Sequence, residues 1–209
     1  MIYLYTGTPG SGKSLDLARV ILQCVKSNKP VICNFDITLP KELQDKQKYL
    51  EVVYDTDISV DYLINYAKKY FSEHKFKESQ ITYVVDEAQI PFNARSWNAK
   101  GRDKWVKFFS NHRHLGYDII MCCQFDMMID KQLRSLVEYE VIHRKCSNMG
   151  WKGKLISYIC LAPQLFVRVK IWYPMKEKTD SMFYRFHKKY SYIYNSYSST
   201  FLEGEIDTE

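Results

Sequence analysis

Residues 7–14 read Gly-Thr-Pro-Gly-Ser-Gly-Lys-Ser and match the pattern G-x-x-x-x-G-K-[ST]. In this pattern the glycines let the backbone curl around phosphate oxygens and turn successive N–H groups inward. The stretch lies between an apolar segment, residues 2–5, and an amphipathic segment that begins at about Lys13. A strand, a glycine-rich loop and a helix in that order are the context that the pattern requires. The sequence therefore predicts a phosphate-binding loop near the start of an α/β domain.

The residue types in this loop predict how it would hold a nucleotide. The positive end of the following helix dipole would lie beside the phosphates. Lys13 is expected to reach the β- and γ-phosphates of ATP, and the Ser14 hydroxyl is expected to bind Mg²⁺. The predicted nucleotide-binding residues are Gly7, Thr8, Pro9, Gly10, Ser11, Gly12, Lys13 and Ser14. A glycine-rich turn leading into an ordinary helix is the alternative, and the flanking elements argue against it.

Hydrophobic periodicity predicts strands alternating with helices up to about residue 145. Strands are predicted at 2–5, 31–33, 51–54, 81–85, 118–124 and 140–143, and helices from about 13, over 59–73, over 101–114 and around 128–137. The polar face of the first helix is predicted to comprise Asp16, Arg19, Gln23 and Lys26. The charged segment 40–48 fits a loop or a short helix. Such alternation is typical of a mostly parallel sheet flanked by helices.

The character of the chain changes after residue 145, which suggests three regions. Residues 1–145 would form the α/β core, and residues 146–195 a β-rich extension of the same domain. Within the extension, residues 155–161 and 165–173 are predicted to pair as an antiparallel hairpin. Residues 196–209 would form a flexible acidic tail.

Composition excludes several classes of protein. The chain has 209 residues, 46% hydrophobic and 26% charged, which excludes wholesale disorder and fibrous repeats. The net charge of +6 permits a nucleic-acid partner without requiring one. The six cysteines lack metal-ligand spacing and are expected to be reduced core residues of a cytosolic protein.

Two carboxylates follow the apolar run 81–85. Asp86 at the carboxyl end of a parallel strand would lie where open α/β sheets bind ligands, and it can hold Mg²⁺. Glu87 can then polarise the water that attacks the γ-phosphate. Gln124 ends the next predicted strand, which lies between the other two in the additional-strand class of P-loop NTPases. Its amide is predicted to sense the γ-phosphate, and a solvated amide at a strand end is the alternative.

Basic residues outside the loop offer further candidates. Arg95, Arg113 and Arg134 are each a candidate to neutralise charge during phosphoryl transfer, and each has a solvated or ion-paired alternative. The histidines on either side of Arg113 do not share a helix face, which disfavours a metal site. A cluster of charge and aromatic rings can grip single-stranded nucleic acid, although a solvated helix face is favoured. That cluster comprises Lys100, Arg102, Lys104, Lys107, Trp97 and Trp105.

Several of these segments together resemble the zonular occludens toxin (Zot) family, whose relatives include the assembly ATPases of filamentous phages. The segments that carry the resemblance are residues 7–14, Val85-Asp86-Glu87-Ala88-Gln89, residues 112–120, Gln124 and Leu133-Arg134. The resemblance covers about residues 1–145, and it is weaker beyond, where residues 190–197 resemble a tyrosine-bearing segment of the family.

The resemblance implies a P-loop ATPase domain of the additional-strand type that drives phage assembly and extrusion. Typical members carry this domain at the cytoplasmic face of the inner membrane, followed by a membrane span and an external domain. No apolar span precedes Glu209, so the chain is expected to be either a truncated cytoplasmic domain or a soluble member, with any membrane contact through a segment outside it.

The sequence thus supports a motor that binds ATP and Mg²⁺ and hydrolyses ATP. Catalytic roles are predicted for Lys13, Glu87, Gln124, Arg113 and Arg134, and metal binding for Ser14 and Asp86. Arg113 or Arg134 would act on a neighbour's nucleotide in a homo-oligomer such as a hexameric ring, with phage coat protein or single-stranded DNA as partner. Alternatives are a nucleotide-gated switch that binds a coat or host protein, a DNA-translocating ATPase and, less favoured, a nucleotide kinase.

Overall fold

The computed structural model describes residues 1–95, 100–151, 164–187 and 190. The strands are β1 (Ile2–Thr6), β2 (Val31–Cys33), β3 (Leu50–Val52), β4 (Ile81–Val85), β5 (Tyr117–Cys122), β6 (Tyr139–Lys145), β7 (Leu165–Trp172) and β8 (Glu177–Arg185). The α-helices are α1 (Lys13–Lys26), α2 (Val60–Glu73), α3 (Arg102–Ser110) and α4 (Lys131–Ser135). Short 3₁₀ segments cover Lys41–Tyr49, His112–Leu115, Asp126–Met128 and Cys146–Asn148.

The described strands form one eight-stranded sheet in the order β3-β2-β4-β5-β1-β6-β7-β8. The first six strands in this order pair in parallel, while β7 and β8 pair antiparallel at one side. Because β5 lies between β1 and β4, the predicted additional-strand α/β fold is confirmed. The carboxyl ends of β1, β4 and β5 therefore lie side by side at one edge of the sheet.

Apolar side chains cover both faces of the sheet. On one face, Ile2, Leu4, Tyr83 and other strand residues pack against α2, α3 and α4. On the other face, α1 buries Leu17, Ile21 and Val25 against alternate residues of the same strands. These strands are buried on both faces, which explains why they appear in the sequence as continuous apolar runs.

Local signals set the helix boundaries. Ser59 begins α2, because its hydroxyl accepts a hydrogen bond from Tyr62 N at 3.1 Å. The predicted helix 101–114 is divided in the structure: α3 ends at Ser110, and a 3₁₀ turn over His112–Leu115 leads to Gly116. Gly116 has a φ of 76°, a left-handed conformation that ends helices and favours glycine.

The hairpin prediction was only partly correct. The segment 165–172 is a strand, but it pairs with β6 and with β8 (Glu177–Arg185). The predicted partner, residues 155–161, lies outside the described residues, as does the predicted tail 196–209. β8 gave no sequence signal. Eight of its nine residues are exposed, and its polar and apolar residues do not alternate.

Among the described residues, no helix combines the length and the apolar character that crossing a membrane requires.

Candidate nucleotide-binding site

The loop of residues 7–14 requires glycine at two positions. Gly7 has a φ of 145°, and a Cβ there would lie 2.4 Å from the carbonyl oxygen of His143. Gly12 has a φ of 96°, and a Cβ there would lie 2.7 Å from the Tyr184 hydroxyl and 2.8 Å from a Phe166 ring carbon. The backbone therefore passes against β6, β7 and β8 at distances that only glycine allows.

The first turn of α1 directs free backbone donors at the loop. The helix begins at Lys13, and its N-cap residue, Gly12, has no side chain that can accept their hydrogen bonds. The Ser11 hydroxyl is buried and has no hydrogen-bond partner among the residues that the structure describes. Unpartnered donors at a helix N-terminus suit a phosphate group. These features fit a nucleoside triphosphate at the loop where the sequence predicts phosphate binding.

Lys13 folds back over the loop. Its Nζ donates to the Gly7 carbonyl oxygen at 2.6 Å and to the Thr8 carbonyl oxygen at 3.3 Å. The ammonium group therefore lies against the first two residues of the loop. From there it can contact anionic oxygens held by the loop.

Three strand ends are joined by backbone hydrogen bonds. Gly7 N donates to Gln124 O at 3.2 Å, and Cys123 N donates to Tyr5 O at 2.9 Å. On the other side of β5, Ala88 N donates to Cys122 O at 2.8 Å. The phosphate loop, Gln124 and the turn that carries the two carboxylates are thus fixed beside one another.

Asp86 is a buried carboxylate, only 7% exposed, in the middle of this group. Its N–H donates to Asn34 Oδ1 at 2.8 Å, and its carbonyl oxygen accepts from Asn34 Nδ2 at 3.0 Å. Asn34 follows β2, so a second strand end orients Asp86; nothing in the sequence pattern had indicated this role for an asparagine. A carboxylate and a hydroxyl oxygen, as Asp86 and Ser14 carry, are the hard ligands that Mg²⁺ prefers.

The buried thiol of Cys122 lies within the electrostatic influence of both Asp86 and Lys13. Burial raises the pKa of this thiol well above its ordinary value, and a hydrogen bond and charge from Asp86 raise it further. The positive charge of Lys13 acts in the opposite direction on the same pKa. The charges of the predicted metal ligand, Asp86, and of the predicted phosphate ligand, Lys13, therefore act on the same buried thiol.

Glu87 adopts an unusual backbone conformation. Its φ is 48°, which is left-handed, and its N–H donates to Asp86 Oδ1 at 2.9 Å. A non-glycine residue in this region costs on the order of 1–3 kcal/mol and is often found where function demands it. The side chain is exposed and accepts a hydrogen bond from the Gln89 amide. The turn thus points the Glu87 carboxylate away from the core at the carboxyl edge of the sheet.

The remaining predicted site residues lie at different distances from the loop. Gln124 is half-buried and bonded to the loop through its carbonyl oxygen. Arg134 Nη1 donates to Asp126 O at 3.3 Å, on the segment that leaves β5 after Gln124. Arg113 instead pairs with Glu138, which precedes β6 at the opposite, amino edge of the sheet. Arg95 is exposed.

The cluster of basic and aromatic residues around α3 has mainly structural contacts. The Trp105 ring packs against Phe92 and Phe109 in the core. Arg102 pairs with Asp130 at 2.8 Å and Lys104 with Asp61 at 3.2 Å. These contacts agree with the favoured interpretation, a helix face with a packed tryptophan, while Trp97 lies outside the described residues.

The prediction that Asp16 belongs to the polar face of α1 was wrong. Asp16 is fully buried, with Oδ2 lying 3.1 Å from His143 Nε2 and 3.0 Å from Arg168 Nη1, and Arg19 pairs with Oδ1 at 2.9 Å. Burial acts to raise the pKa of this carboxyl, but the hydrogen bond from His143 and the three positive partners outweigh it and lower the pKa. The network ties α1 to β6 and β7 directly behind the phosphate loop. Periodicity could not reveal it, because His143 and Arg168 lie more than 120 residues away from Asp16.

Comparison with known proteins gives one family. The sequence profile of the family "Zonular occludens toxin (Zot)" matches residues 1–199. The gene 1 protein of Enterobacteria phage M13 is 31% identical over 166 residues, which are 76% of this chain and 47% of that protein. The chain thus spans about half the length of this curated relative.

Solved structures share the fold. The N-terminal domain of zonular occludens toxin from Neisseria meningitidis has a TM-score of 0.58 and 23% identity, covering 93% of this chain and 98% of that chain. The DNA-packaging ATPase B204 of Sulfolobus Turreted Icosahedral Virus has a TM-score of 0.54 and 18% identity, covering 89% and 98%. At these identities the similarity concerns the fold, which is that of P-loop ATPases.

Proposed function

The chain belongs to the zonular occludens toxin family, and from that premise we propose that it is an ATP-hydrolysing motor domain that drives filamentous phage assembly and extrusion. The observation that carries the proposal is the hydrogen-bonded junction of the three strand ends, in which Gly7 bonds to Gln124 and Ala88 to Cys122. This junction supports the proposal because it holds the groups predicted to bind phosphate and to activate water at one edge of the sheet. The relative in phage M13, a gene 1 protein, supports a role in a phage.

Residues of the loop would bind the triphosphate. The N–H groups of residues 12–14 and the Lys13 ammonium group would hold its oxygens, replacing the carbonyl contacts that Lys13 now makes. The Ser14 hydroxyl and the Asp86 carboxylate would hold Mg²⁺, directly or through water. When bound, this ion supplies neutralisation of charge on the β- and γ-phosphate oxygens.

Glu87 and Gln124 would complete the reaction centre. The exposed Glu87 carboxylate would accept a proton from the attacking water. The Gln124 amide, fixed through its backbone to Gly7, would contact the γ-phosphate or that water. Because phosphoryl transfer depends mainly on position and charge, holding these groups on adjacent strand ends is the contribution of the fold.

Assembly of several subunits would supply an arginine that neutralises the charge developing during phosphoryl transfer. We place the active form in a homo-oligomer, such as a hexameric ring, in which Arg113 or Arg134 acts on the neighbouring subunit's nucleotide. The cargo would be phage coat protein or single-stranded DNA, and the site of action would be the cytoplasm or the cytoplasmic face of the inner membrane. This placement follows the family and the gene 1 relatives.

The test measures ATP turnover against protein concentration, with and without single-stranded DNA. Lys13→Ala should lower turnover about 10²-fold or more, and Glu87→Gln should do the same while ATP still binds. Lys26→Ala at the exposed other end of α1 and Glu73→Gln at the exposed end of α2 are matched controls.

The alternatives predict other results. A nucleotide-gated switch would retain nucleotide-dependent binding of coat protein in Glu87→Gln, while the proposed motor would assemble with ATP and then stall. A DNA-translocating ATPase would show turnover that depends on single-stranded DNA. Absence of ATP hydrolysis at every protein concentration, with and without DNA, would contradict the motor.

A further inference from the structure

A cleft of about 360 Å³ opens beside the phosphate loop. One wall is formed by residues 10–15 of the loop and α1. The other wall is formed by Lys145, Gln164, Phe166, Phe186 and Tyr190. No carboxylate lines the cleft among the described residues, so the cleft suits an anion. The first wall carries free N–H groups and Lys13, while the second is mainly aromatic.

The aromatic wall is fixed to the loop. The Phe166 ring on β7 stacks on Tyr184 of β8, with ring centroids 5.5 Å apart and planes at 23°. The Tyr184 hydroxyl donates to the Gly12 carbonyl oxygen at 3.1 Å. The hairpin of β7 and β8 is therefore held at a set distance from the phosphate loop, so the width of the cleft is defined by the fold.

Phe186 presents a ring that is not used in the core. It follows β8, and its N–H donates to the carbonyl oxygen of Gln164, the residue before β7, at 3.0 Å. This bond extends the pairing of the hairpin, and both residues line the cleft. Phe186 is 38% exposed and lines the cleft, so part of its ring is open to a ligand.

The two walls match the two ends of a nucleotide. A nucleoside triphosphate has an anionic end and a flat aromatic end joined by a sugar, and this cleft pairs a cationic wall with an aromatic wall. Aromatic side chains stack on nucleobases. The Gln164 amide offers one donor group and one acceptor, which is what the edge of a purine requires.

On the basis of the proposed function, we propose that the end of the β7–β8 hairpin is the nucleobase subsite, with Phe186 and Tyr190 stacking on a purine and Gln164 contacting its edge. Lys145 would face the sugar or the α-phosphate. The C-terminal extension then contributes directly to nucleotide affinity, in addition to packing beside the core.

Titration calorimetry with ATP and with inorganic tripolyphosphate separates the base from the phosphates. Phe186→Ala should weaken ATP binding roughly tenfold while leaving tripolyphosphate binding within about twofold. Phe186→Tyr should retain affinity for ATP. Phe183→Ala is the matched control, since Phe183 is also exposed on the same hairpin. Side chains alternate along a strand, so Phe183 lies on the face opposite to Tyr184, whose hydroxyl contacts the loop.

Two results would overturn the subsite. Wild type that binds ATP no more tightly than tripolyphosphate would show that the base makes no contact. An equal effect of Phe186→Ala on both ligands would show a general disturbance of the loop. Failure of the motor is distinguishable: a chain that binds ATP in a Phe186-dependent way without hydrolysing it would refute the proposed activity and support the subsite.

Discussion

At the scale of single residues, the glycines of the phosphate loop differ in what they tolerate. Gly10 and Gly12 both have positive φ, but only at Gly12 would a Cβ meet other atoms, those of Tyr184 and Phe166. Alanine at either position adopts a left-handed conformation at a cost of about 1–2 kcal/mol. Gly12→Ala also overpacks the contact with the hairpin, which adds about 1–3 kcal/mol.

We therefore predict that Gly12→Ala lowers the free energy of unfolding clearly more than Gly10→Ala. Urea unfolding of both variants measures the difference. The backbone cost is shared by the two variants, so the comparison isolates the contact with β7 and β8. Equal losses would contradict the close approach of the hairpin to the loop.

A second residue-scale prediction concerns the buried carboxylate of Asp16. Its folded pKa is lowered despite burial, by the hydrogen bond from His143 and by the charges of His143, Arg168 and Arg19. A lowered folded pKa adds stability above the unfolded value of about 3.9, and this stability is lost as the pH falls through the folded pKa. Asp16→Asn removes the buried carboxylate with which His143 and the half-buried Arg168 and Arg19 interact, which costs about 3–5 kcal/mol.

Urea unfolding between pH 3 and pH 7 checks the prediction for Asp16. Asp16→Asn should be strongly destabilised at neutral pH, and its unfolding free energy should fall less on acidification than that of wild type. The control is Asp103→Asn, which removes an exposed carboxylate from the first turn of α3. Unchanged stability of Asp16→Asn at pH 7 would refute the network.

These residues show what a sequence reveals about a site. The phosphate loop and the Asp86-Glu87 pair were predictable because their neighbours in sequence are also their neighbours in space. Asp16 and Asn34 were not, since their roles depend on contacts with β6, β7 and β4 that only the folded sheet creates. The predicted catalytic roles of Glu87 and Gln124 stay predictions.

At the scale of elements, the hairpin of β7 and β8 supports the phosphate loop through one hydroxyl. Tyr184 is mostly removed from solvent, its pKa is raised chiefly by burial, and it donates to Gly12 O. We predict that Tyr184→Phe lowers the unfolding free energy by about 1 kcal/mol, the usual contribution of such a bond. Affinity for ATP should fall with it, because the loop loses a fixed contact.

Tyr54→Phe is the control for that measurement. The Tyr54 hydroxyl donates to Asp36 Oδ1 at 2.6 Å, but Tyr54 is 47% exposed, and loss of this surface bond should cost under about 0.5 kcal/mol. Urea unfolding and ATP titration of both variants decide the matter. A normal ATP affinity in Tyr184→Phe would show that the hairpin packs beside the loop without supporting it.

The elements themselves were predictable in proportion to their burial. Strands such as β4 and β5, covered on both faces, gave apolar runs with nearly correct bounds. β8 escaped prediction because it is the last strand of the described sheet and its side chains are largely exposed, so no hydrophobic period marks it. Because β8 was not predicted, the sequence assigned residues 155–161 to β7 as its hairpin partner in place of β8.

At the scale of the whole molecule, one surface of the domain is suited to a second copy. Phe125, Met127 and Met128 are exposed by 58%, 69% and 38%, and they lie on the segment that also holds the Arg134 guanidinium. Adjacent exposed apolar side chains commonly mark a protein interface. Arg113, by contrast, is already paired with Glu138 at the far edge of the sheet. We therefore expect Arg134 to be the arginine that serves a neighbour.

Mixing two inactive variants tests this arrangement. Arg134→Ala keeps an intact phosphate loop, and Lys13→Ala keeps an intact Arg134, so each alone should hydrolyse ATP at least about 10²-fold more slowly than wild type. In a one-to-one mixture, about one interface in four joins an intact loop to an intact arginine, since subunits in a ring combine at random. ATPase activity should then reappear at about a quarter of the wild-type value and vanish on dilution below the assembly concentration.

Arg113→Ala is the control and should lose little activity alone, because its removal leaves the carboxyl edge of the sheet unchanged. A mixture that stays inactive while the subunits demonstrably co-assemble would show that Arg134 does not act between subunits.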